Sequence, residues 1–353
     1  MAQQKYRVIQ WTTGTLGKIG IRHFVDNPVY DLVGVAAFSA DKDGKDAGEL
    51  AGVAPVGVNA TTDLDALLAM DADCVFYTPQ QANVDEICRI LRAGKNVASP
   101  TGYFYPTTTK AEDYAKIEAA CQEGGTSYHG SGIHPGFVGD LIPLVLSRIT
   151  SRVDKVQVYE LVNFGHSLAG AVKYMHSMGF GVTEAEFRAR PNVLTDSIQF
   201  FAESMAQVAE GLGRKIARVS DEIEVGLATK DIQFYDFTIP AGTVAAQHHI
   251  WTGMDEDGKP LVVFHAIYTV GYDNIEPVWN LGDIHYKVVI EGDPSSEMLL
   301  SGHDGADGIG RPYGYVWTAM AVVNAIPAIC DAPPGVLTHA DLGLVRPRGV
   351  VRG

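Results

Sequence analysis

A glycine-containing turn near the N-terminus, Thr12 to Gly17, has the residue types that bind a diphosphate. The apolar stretch Val8 to Trp11 predicts a buried strand before it, and apolar residues at helical spacing from Ile19 to Val25 predict a helix after it. Backbone amides at the start of such a helix bind anions. The sequence departs from the G-x-G-x-x-G fingerprint at the first position, where it has Thr12. The alternative to dinucleotide binding is that the glycines have only a steric role, as in many strand–helix turns. We expect these residues to contact a dinucleotide: Thr12, Thr13, Gly14, Thr15, Leu16 and Gly17.

Two residues at and just beyond the end of the second predicted strand indicate which dinucleotide binds. This strand spans Leu32 to Ser39. NAD sites place a carboxylate about 20 residues beyond the glycines, on the ribose 2′-hydroxyl. Here the strand ends at Ser39, with Lys42 just beyond, and a hydroxyl and a cation favour the 2′-phosphate of NADP. Asp41 leaves NAD possible, and capping of a solvated turn is the structural alternative for Ser39 and Lys42. The carboxyl end of the third strand, Tyr77, Thr78 and Pro79, should also line the cofactor.

Three side chains are candidate proton donors for the reduction of a C=O or C=N bond, which needs an acid near the developing anion or amine. Tyr103, the leading candidate, and Tyr105 lie in the loop Ser99–Pro106, which we expect beside the nicotinamide. His134 precedes a Pro-Gly pair after a later strand, and histidine titrates near neutral pH. Aromatic packing is the alternative role for the tyrosines, and a hydrogen-bonded loop residue is the alternative for His134.

Glu160, Asn163 and His166 follow one another along the first strand of the second half and are candidate substrate residues. Solvated strand-end residues are the alternative. The adjacent pair His248-His249 would point to opposite faces of a strand and therefore makes a poor chelate. We predict no metal site.

The order of elements predicts an α/β fold. Strands alternate with helices through the first 150 residues, which is typical of a doubly wound parallel sheet that binds a dinucleotide. From 151 to 310 the alternation stops, and extended runs predict a second α+β domain with a mostly antiparallel sheet. A long amphipathic helix is predicted over 196–211, and another helix over 314–330. The extended runs are 221–228, 232–238, 244–252, 260–270 and 283–291.

Composition excludes several functional classes. The net charge is −15, so nucleic acid is not an expected partner. No signal peptide and no membrane span are expected, since the N-terminus lacks an apolar core and the apolar runs are shorter than about 18 residues. The four cysteines are scattered without a C-x-x-C pair. We therefore expect a reduced, cytoplasmic protein that acts on a small molecule.

Several motifs together resemble those of a known family. They are the N-terminal turn, Leu91-Arg-Ala-Gly-Lys-Asn-Val97, Gly132-Ile-His-Pro-Gly-Phe137, Val322-Val-Asn-Ala-Ile-Pro327 and Ala332-Pro-Pro-Gly335. The chain resembles the dihydrodipicolinate-reductase-like proteins, in particular the 2,4-diaminopentanoate dehydrogenases and native amine dehydrogenases. The resemblance implies a Rossmann domain, a second domain closing over the nicotinamide, and a C-terminal part, 311–353, that packs back on the first domain. It also implies NAD(P)H-linked reductive amination or imine or carbonyl reduction by a homo-oligomer, of which a dimer is favoured.

One departure bears on the chemistry. The amine-forming members are expected to carry a glutamate in the loop after Gly-Lys-Asn-Val, and here the loop Ser99–Pro106 has no carboxylate. Reduction of a ketone or imine without free ammonia therefore competes with reductive amination. A catalytically idle NAD(P)-binding sensor or interaction protein is the alternative from another class. An aldose-type dehydrogenase is disfavoured, because Ala98-Ser-Pro100 replaces the expected Glu-Lys-Pro.

Overall fold

The computed structural model of the chain describes residues 5–166, 171–189, 193–279, 285–303 and 313–351. It divides into unit 1, Met1–Phe137 with Gly305–Gly353, and unit 2, Val138–Asp304. The domain bounds predicted from the sequence, 1–150, 151–310 and 311–353, stay a prediction.

The first part of unit 1 alternates strands and helices, as the pattern of apolar runs predicts. Each helix packs on the sheet through the residues that recur at helical spacing. The strands are β1 (Tyr6–Trp11), β2 (Tyr30–Ala36), β3 (Ala60–Thr61), β4 (Cys74–Tyr77), β5 (Asn96–Ser99) and β6 (Ser127–Gly130). The helices are α1 (Thr15–Asp26), α2 (Ala47–Ala51), α3 (Leu64–Ala69), α4 (Val84–Arg92) and α5 (Ala111–Gly124).

The described residues of unit 2 form long strands and α-helices. The helices are α6 (Ile142–Ser147), α7 (Ala171–Ser177), α8 (Glu184–Ala189) and α9 (Val193–Gly211). The strands are β7 (Arg152–Asn163), β8 (Ile216–Ala228), β9 (Ile232–Phe234), β10 (Phe237–Ile239), β11 (Val244–Asp255), β12 (Pro260–Thr269), β13 (Ile275–Glu276), β14 (Tyr286–Asp293) and β15 (Ser296–Leu300).

The sheet of unit 2 runs in the order β13-β8-β11-β12-β7-β14-β15. Its pairs are antiparallel except for β7 with β12, so the predicted, mostly antiparallel sheet is confirmed. Phe201 of α9 stacks on Trp251 with ring centroids 4.6 Å apart, which places α9 against this sheet. The run predicted over 232–238 is two short strands, because Tyr235 turns the chain with φ +53°.

The C-terminal segment completes unit 1. It contains α10 (Tyr313–Val323), α11 (Ile326–Asp331), β16 (Gly335–Val336) and α12 (His339–Leu342). The parallel sheet runs in the order β16-β6-β5-β4-β1-β2-β3. One core packs α1, α10 and α11 on one face, and a second packs α4 and α5 on the other. The prediction of a doubly wound sheet to which the C-terminal helix returns is therefore confirmed.

The helix predicted over 314–330 is interrupted between α10 and α11. Pro327 lies in the first turn of α11 and has no N–H to donate, so a continuous helix would lose a backbone hydrogen bond there. The buried Tyr30 hydroxyl donates to the carbonyl oxygen of Val323 at 2.9 Å. A side chain from the sheet thus bonds one of the last carbonyls of α10.

One stretch of the described residues, Tyr313–Asp331, is long and apolar enough to cross a bilayer by length and composition alone. In the structure it forms α10 and α11. Val322, Val323, Ile326 and Ile329 are fully buried in the core of unit 1. Of its most apolar window, 39% is buried.

Candidate functional site

The start of α1 is built to accept an anion. Gly14 is the residue before the helix, and no side chain caps it. The first turn carries no acidic residue that would compete for the N–H groups. Free amides and the helix dipole then favour a negatively charged group at this point. Gly14 and Thr15 are exposed, whereas Leu16 is half-buried and Gly17 is buried.

Two glycines let α1 lie directly on the sheet. A Cβ atom at Gly17 would lie 2.3 Å from the carbonyl oxygen of Thr12, which is backbone and cannot give way easily. A Cβ atom at Gly20 would lie 2.5 Å from Gln10 Oε1 and 2.7 Å from the Phe76 ring. At Gly14 a Cβ atom would meet nothing within 4 Å. The close approach of helix and strand therefore depends on Gly17 and Gly20, and the open side of the turn lies at Gly14.

Thr12 occupies the position of the missing first glycine and has a glycine-like backbone. Its φ is +82°, a conformation that β-branched residues rarely adopt. The Thr12 hydroxyl donates to the carbonyl oxygen of Thr78 at 3.0 Å. Thr12 and Thr78, both predicted cofactor residues, are therefore joined across the ends of β1 and β4.

The predicted ribose-end residues lie near the same turn. Lys42 Nζ donates to the Thr13 hydroxyl at 3.0 Å, which places a cation at the turn. The Ser39 hydroxyl donates a hydrogen bond to the Asp41 carboxylate and thereby holds the pKa of Asp41 below its usual value. Ser39 and Asp41 thus form a pair, which the sequence pattern did not indicate. Whether this end binds a 2′-phosphate or a 2′-hydroxyl stays a prediction.

Tyr77 and Pro79 flank Thr78 at the carboxyl end of β4. Tyr77 has no exposed surface, and its hydroxyl donates to Glu86 at 2.6 Å in α4. Burial, followed by the bond to Glu86, raises the pKa of Tyr77. Its side chain is therefore packed beneath the edge and does not face the open side of the turn. Pro79 is half-buried, and its carbonyl oxygen accepts from the Thr101 hydroxyl at 3.0 Å.

The loop after β5 passes over the end of β6. A Cβ atom at Gly130 would lie 1.8 Å from the carbonyl oxygen of Tyr103, so loop and strand are in direct contact. Tyr103 is buried, and its hydroxyl donates to Asp113 of α5 at 2.8 Å. Its ring packs edge-on against Tyr114, with centroids 5.4 Å apart. These contacts favour the packing role for Tyr103 over the acid role, whereas Tyr105 is half-buried in the same loop.

His134 lies in the loop that leaves the carboxyl end of β6. The backbone there is extended at His134 and turns at Gly136, where φ is +125°. His339 of α12 bonds through Nε2 to the carbonyl oxygen of Gly136 at 3.0 Å. The C-terminal segment therefore holds the loop that carries His134. The side chain of His134 is half-buried, which suits a group that must meet both protein and substrate.

The substrate candidates of unit 2 lie on β7 and directly after it. Glu160 is mostly buried, and it accepts from the Tyr286 hydroxyl at 3.4 Å. Asn163 Oδ1 accepts from the backbone N–H groups of Gly165 and Gly271, at 2.9 and 2.8 Å, and so shapes the turn that follows. The side chain of His166 lies outside the part of the chain that the structure describes. A substrate role for the three residues stays a prediction.

Unit 2 also holds a row of histidines that the sequence analysis treated only as poor metal ligands. His248 Nδ1 bonds to Glu224 at 3.0 Å, and its Nε2 bonds to His265 at 3.1 Å. Burial lowers the pKa of His265 to about 4 and, with help from the charge of His248, lowers that of His249 to about 4. Within the described ranges no cluster of three or more metal-binding side chains is present.

The structure thus brings part of the predicted set together in unit 1. Thr78 and Lys42 are hydrogen-bonded to Thr12 and Thr13 of the turn before α1, and the loops with Tyr105 and His134 leave the neighbouring strands β5 and β6. The Ser39–Asp41 pair and the His339–Gly136 bond were missed. The Ser39–Asp41 pair has a local signal in the sequence, a hydroxyl two residues before a carboxylate. No local signal indicated the bond between His339 and Gly136.

The chain is similar to known proteins along most of its length. A family model for the C-terminal domain of 2,4-diaminopentanoate dehydrogenase matches residues 137–350. An amine dehydrogenase of Streptomyces virginiae is 29% identical over 359 residues, which cover 95% of this chain and 96% of that protein. The 2,4-diaminopentanoate dehydrogenase of Acetoanaerobium sticklandii is 27% identical over 270 residues, which cover 74% of this chain and 70% of that protein.

Solved structures show the same fold. The amine dehydrogenase from Mycobacterium smegmatis matches with a TM-score of 0.74 and 21% identity, covering 98% of both chains. A scyllo-inositol dehydrogenase from Lactobacillus casei, solved with NAD(H) and scyllo-inositol, matches with a TM-score of 0.54 and 15% identity, covering 96% of this chain and 93% of that one. These findings confirm the predicted fold class and the resemblance stated from the motifs.

The two glycines of the turn should differ sharply in their tolerance of alanine. Gly17→Ala should lower the free energy of unfolding by about 1–3 kcal/mol, because the new methyl group overlaps the Thr12 carbonyl oxygen. Gly14→Ala is the matched control and should cost less than about 1 kcal/mol, since the site is open and φ is −72°. Urea unfolding measures both values. Equal losses would contradict the packing described here.

The buried histidines of unit 2 should make folding sensitive to acid. The pKa of His249 is about 4 in the folded state against about 6.5 unfolded, so the unfolded chain binds the proton first. Stability should therefore fall as the pH drops from about 6.5 towards 4. His249→Gln should flatten this slope in urea unfolding at pH 7, 6 and 5. His303→Gln, at an exposed position, is the control, and a slope unchanged by His249→Gln would refute the assignment.

Proposed function

The chain belongs to the family defined by the 2,4-diaminopentanoate dehydrogenase C-terminal domain, and we propose that it reduces a carbonyl or imine carbon of a small to medium substrate with NAD(P)H. Its class is that of the nicotinamide-dependent oxidoreductases. The relatives named as amine dehydrogenase and 2,4-diaminopentanoate dehydrogenase support C–N chemistry at that carbon. We further propose a homo-oligomer, with a dimer favoured, that works in the cytoplasm and does not bind nucleic acid.

The observation that carries the proposal is the uncapped start of α1 at the end of the central strand β1. Gly17 leaves no room for a side chain between helix and turn, whereas Gly14 leaves open space on the outer side. A diphosphate fits this cradle, since the amides need an acceptor and no acidic side chain stands in the first turn. The residues that would hold the dinucleotide are Thr12 to Gly17, with Thr78 and Pro79 along the edge.

Lys42 supports NADP over NAD. Its ammonium group lies at the turn through the bond to Thr13. The Ser39 hydroxyl would have to leave its bond to Asp41 before it could donate to a phosphate. A 2′-phosphate needs such cationic and hydroxyl donors. Asp41 opposes this preference, because an exposed carboxylate repels a phosphate, but its hydrogen bond from Ser39 directs it to a local partner.

The bound dinucleotide supplies the hydride, and the chain must supply orientation and a proton. Among the three predicted acids, His134 is favoured. It lies at the carboxyl end of β6, in a loop held by His339, and is half-buried. Tyr103 would have to give up its bond to Asp113 before it could donate to a substrate. Tyr105 remains the second candidate.

Removing the cation at the turn should reveal which dinucleotide is preferred. Lys42→Ala should weaken NADPH binding about tenfold or more, because a charge-assisted hydrogen bond is lost, and should change NADH binding much less. Lys45→Ala, three residues further along the same loop, is the matched control. Fluorescence titration with both dinucleotides measures the four dissociation constants. Tighter NADH binding by the unaltered protein would contradict the NADP assignment.

The reaction type should follow from an assay of ketone and NADPH with and without ammonium. Because the loop Ser99–Pro106 has no carboxylate, we expect ketone or preformed imine to be reduced without free ammonium. His134→Asn should lower kcat about a hundredfold if it is the acid, while Tyr103→Phe should stay within a few-fold. Turnover only with ammonium would establish reductive amination instead. Tight dinucleotide binding without turnover of any tested substrate would favour the sensor.

A further inference from the structure

A buried glutamine lies at the centre of the dinucleotide-binding unit. Gln10 is on β1, between β2 and β4, and has no exposed surface. Its Nε2 donates to the carbonyl oxygens of Trp11 and Phe76, both at 3.3 Å, and to the Thr78 hydroxyl at 2.9 Å. The two carbonyls accept only, so they determine which end of the amide faces them. Burial of an amide side chain is costly unless such bonds are made.

The other end of the amide faces helix α1. Gln10 Oε1 has no hydrogen-bond donor among the described residues, and a Cβ atom at Gly20 would lie 2.5 Å from it. The glutamine thus lies directly beneath the helix that begins at the turn. Its donor end bonds strands β1 and β4, and its acceptor end touches α1.

Thr78 connects Gln10 to the turn through hydrogen bonds. Its hydroxyl accepts from Gln10 and donates to the carbonyl oxygen of Trp11 at 2.9 Å. Its own carbonyl oxygen accepts from the Thr12 hydroxyl at 3.0 Å. The two protons of Gln10 Nε2 have three acceptors within reach, and the Thr12 hydroxyl lies 3.0 Å from both the carbonyl oxygen and the hydroxyl of Thr78. The three side chains therefore hold the end of β1 against the end of β4.

Thr12, the last residue of this hydrogen-bonded series, has a backbone conformation of high energy. A threonine at φ +82° persists only where surrounding bonds hold it. The same residue presents the carbonyl oxygen over which Gly17 packs. The conformation that a glycine gives other fingerprints without cost is here maintained by a side-chain hydrogen bond.

We propose that Gln10, Thr78 and Thr12 are positioning residues for the dinucleotide, an inference that rests on the proposed function. The three residues hold the turn in its binding conformation before the ligand arrives, so less binding energy is spent on ordering it. None of them needs to touch the reacting atoms. Their loss should therefore appear in cofactor affinity, with little effect on the rate of the saturated enzyme.

Thr78→Val tests this directly, because it keeps the shape and removes the hydroxyl. We expect the dissociation constants for NADPH and NADH to rise about three- to tenfold, the loss of one or two neutral hydrogen bonds. The KM for the cofactor should rise by a similar factor, and this rise should exceed any fall in kcat at saturating cofactor. Thr78→Ser keeps the hydroxyl and should restore the unaltered values.

Thr126→Val is the matched control. Thr126 is equally buried, and its hydroxyl donates to a backbone carbonyl, that of Leu91, at 3.1 Å. It lies at the amino end of β6, so its loss should lower thermal stability without changing cofactor affinity. If Thr78→Val does not fold, the half-buried Thr12 decides the matter: Thr12→Ala should weaken binding and Thr12→Ser should not.

Three results would overturn the inference. They are unaltered affinity in folded Thr78→Val and Thr12→Ala, an equal loss of affinity in Thr126→Val, or no recovery in Thr78→Ser. If the unaltered protein binds neither dinucleotide, the proposed function fails and this inference with it. If it binds and the variants bind equally well, only the inference fails.

Discussion

The distance between α1 and the strands beneath it is the constraint on which the dinucleotide-binding unit depends. Two glycines, Gly17 and Gly20, allow the helix to lie where any side chain would overlap backbone or a packed ring. This contact brings the first turn of the helix over the end of β1. An anion site at that point follows from geometry, since the free amides and the dipole are properties of the helix start itself.

The same unit depends on residues from the far end of the chain. β16 pairs with β6 at the edge of the sheet, and α10 and α11 fill one of its two cores. His129 of β6 bonds to the carbonyl oxygen of Leu337 at 2.9 Å, and His339 bonds to that of Gly136. The C-terminal segment is therefore part of the structure that positions the His134 loop, although 203 and 208 residues separate these bonded pairs in the chain.

Polar side chains of unit 2 are hydrogen-bonded within the fold. In its sheet His248 is hydrogen-bonded to Glu224 and to His265, and burial lowers the pKa values of His248, His249 and His265. Asn163 bonds two turns together, so the polar residues on and near β7 serve the fold as well as any substrate. The proposed chemistry consequently depends most firmly on unit 1, where the turn, the cation and the His134 loop occur together.

Local pattern was sufficient for the order of elements, for the parallel and mostly antiparallel sheets, and for the strand, turn and helix that contain Thr12 to Gly17. Periodicity of apolar residues and the positions of glycine act over a few residues, and a linear chain displays them directly. Thr183 and Glu186, three residues apart, form a capping box with bonds of 2.9 to 3.3 Å, and such a pair is local in the sequence.

Side-chain direction and long-range partners were decided only by the folded chain. Tyr77 and Tyr103 stand where the pattern predicts cofactor and catalytic residues, yet their hydroxyls bond to Glu86 and Asp113 inside unit 1. The bonds of Gln10 to β4 join residues more than 60 positions apart. Such contacts depend on how strands are ordered in the sheet and on which face each side chain occupies. No local pattern carries that information, because it arises only when distant segments pack together.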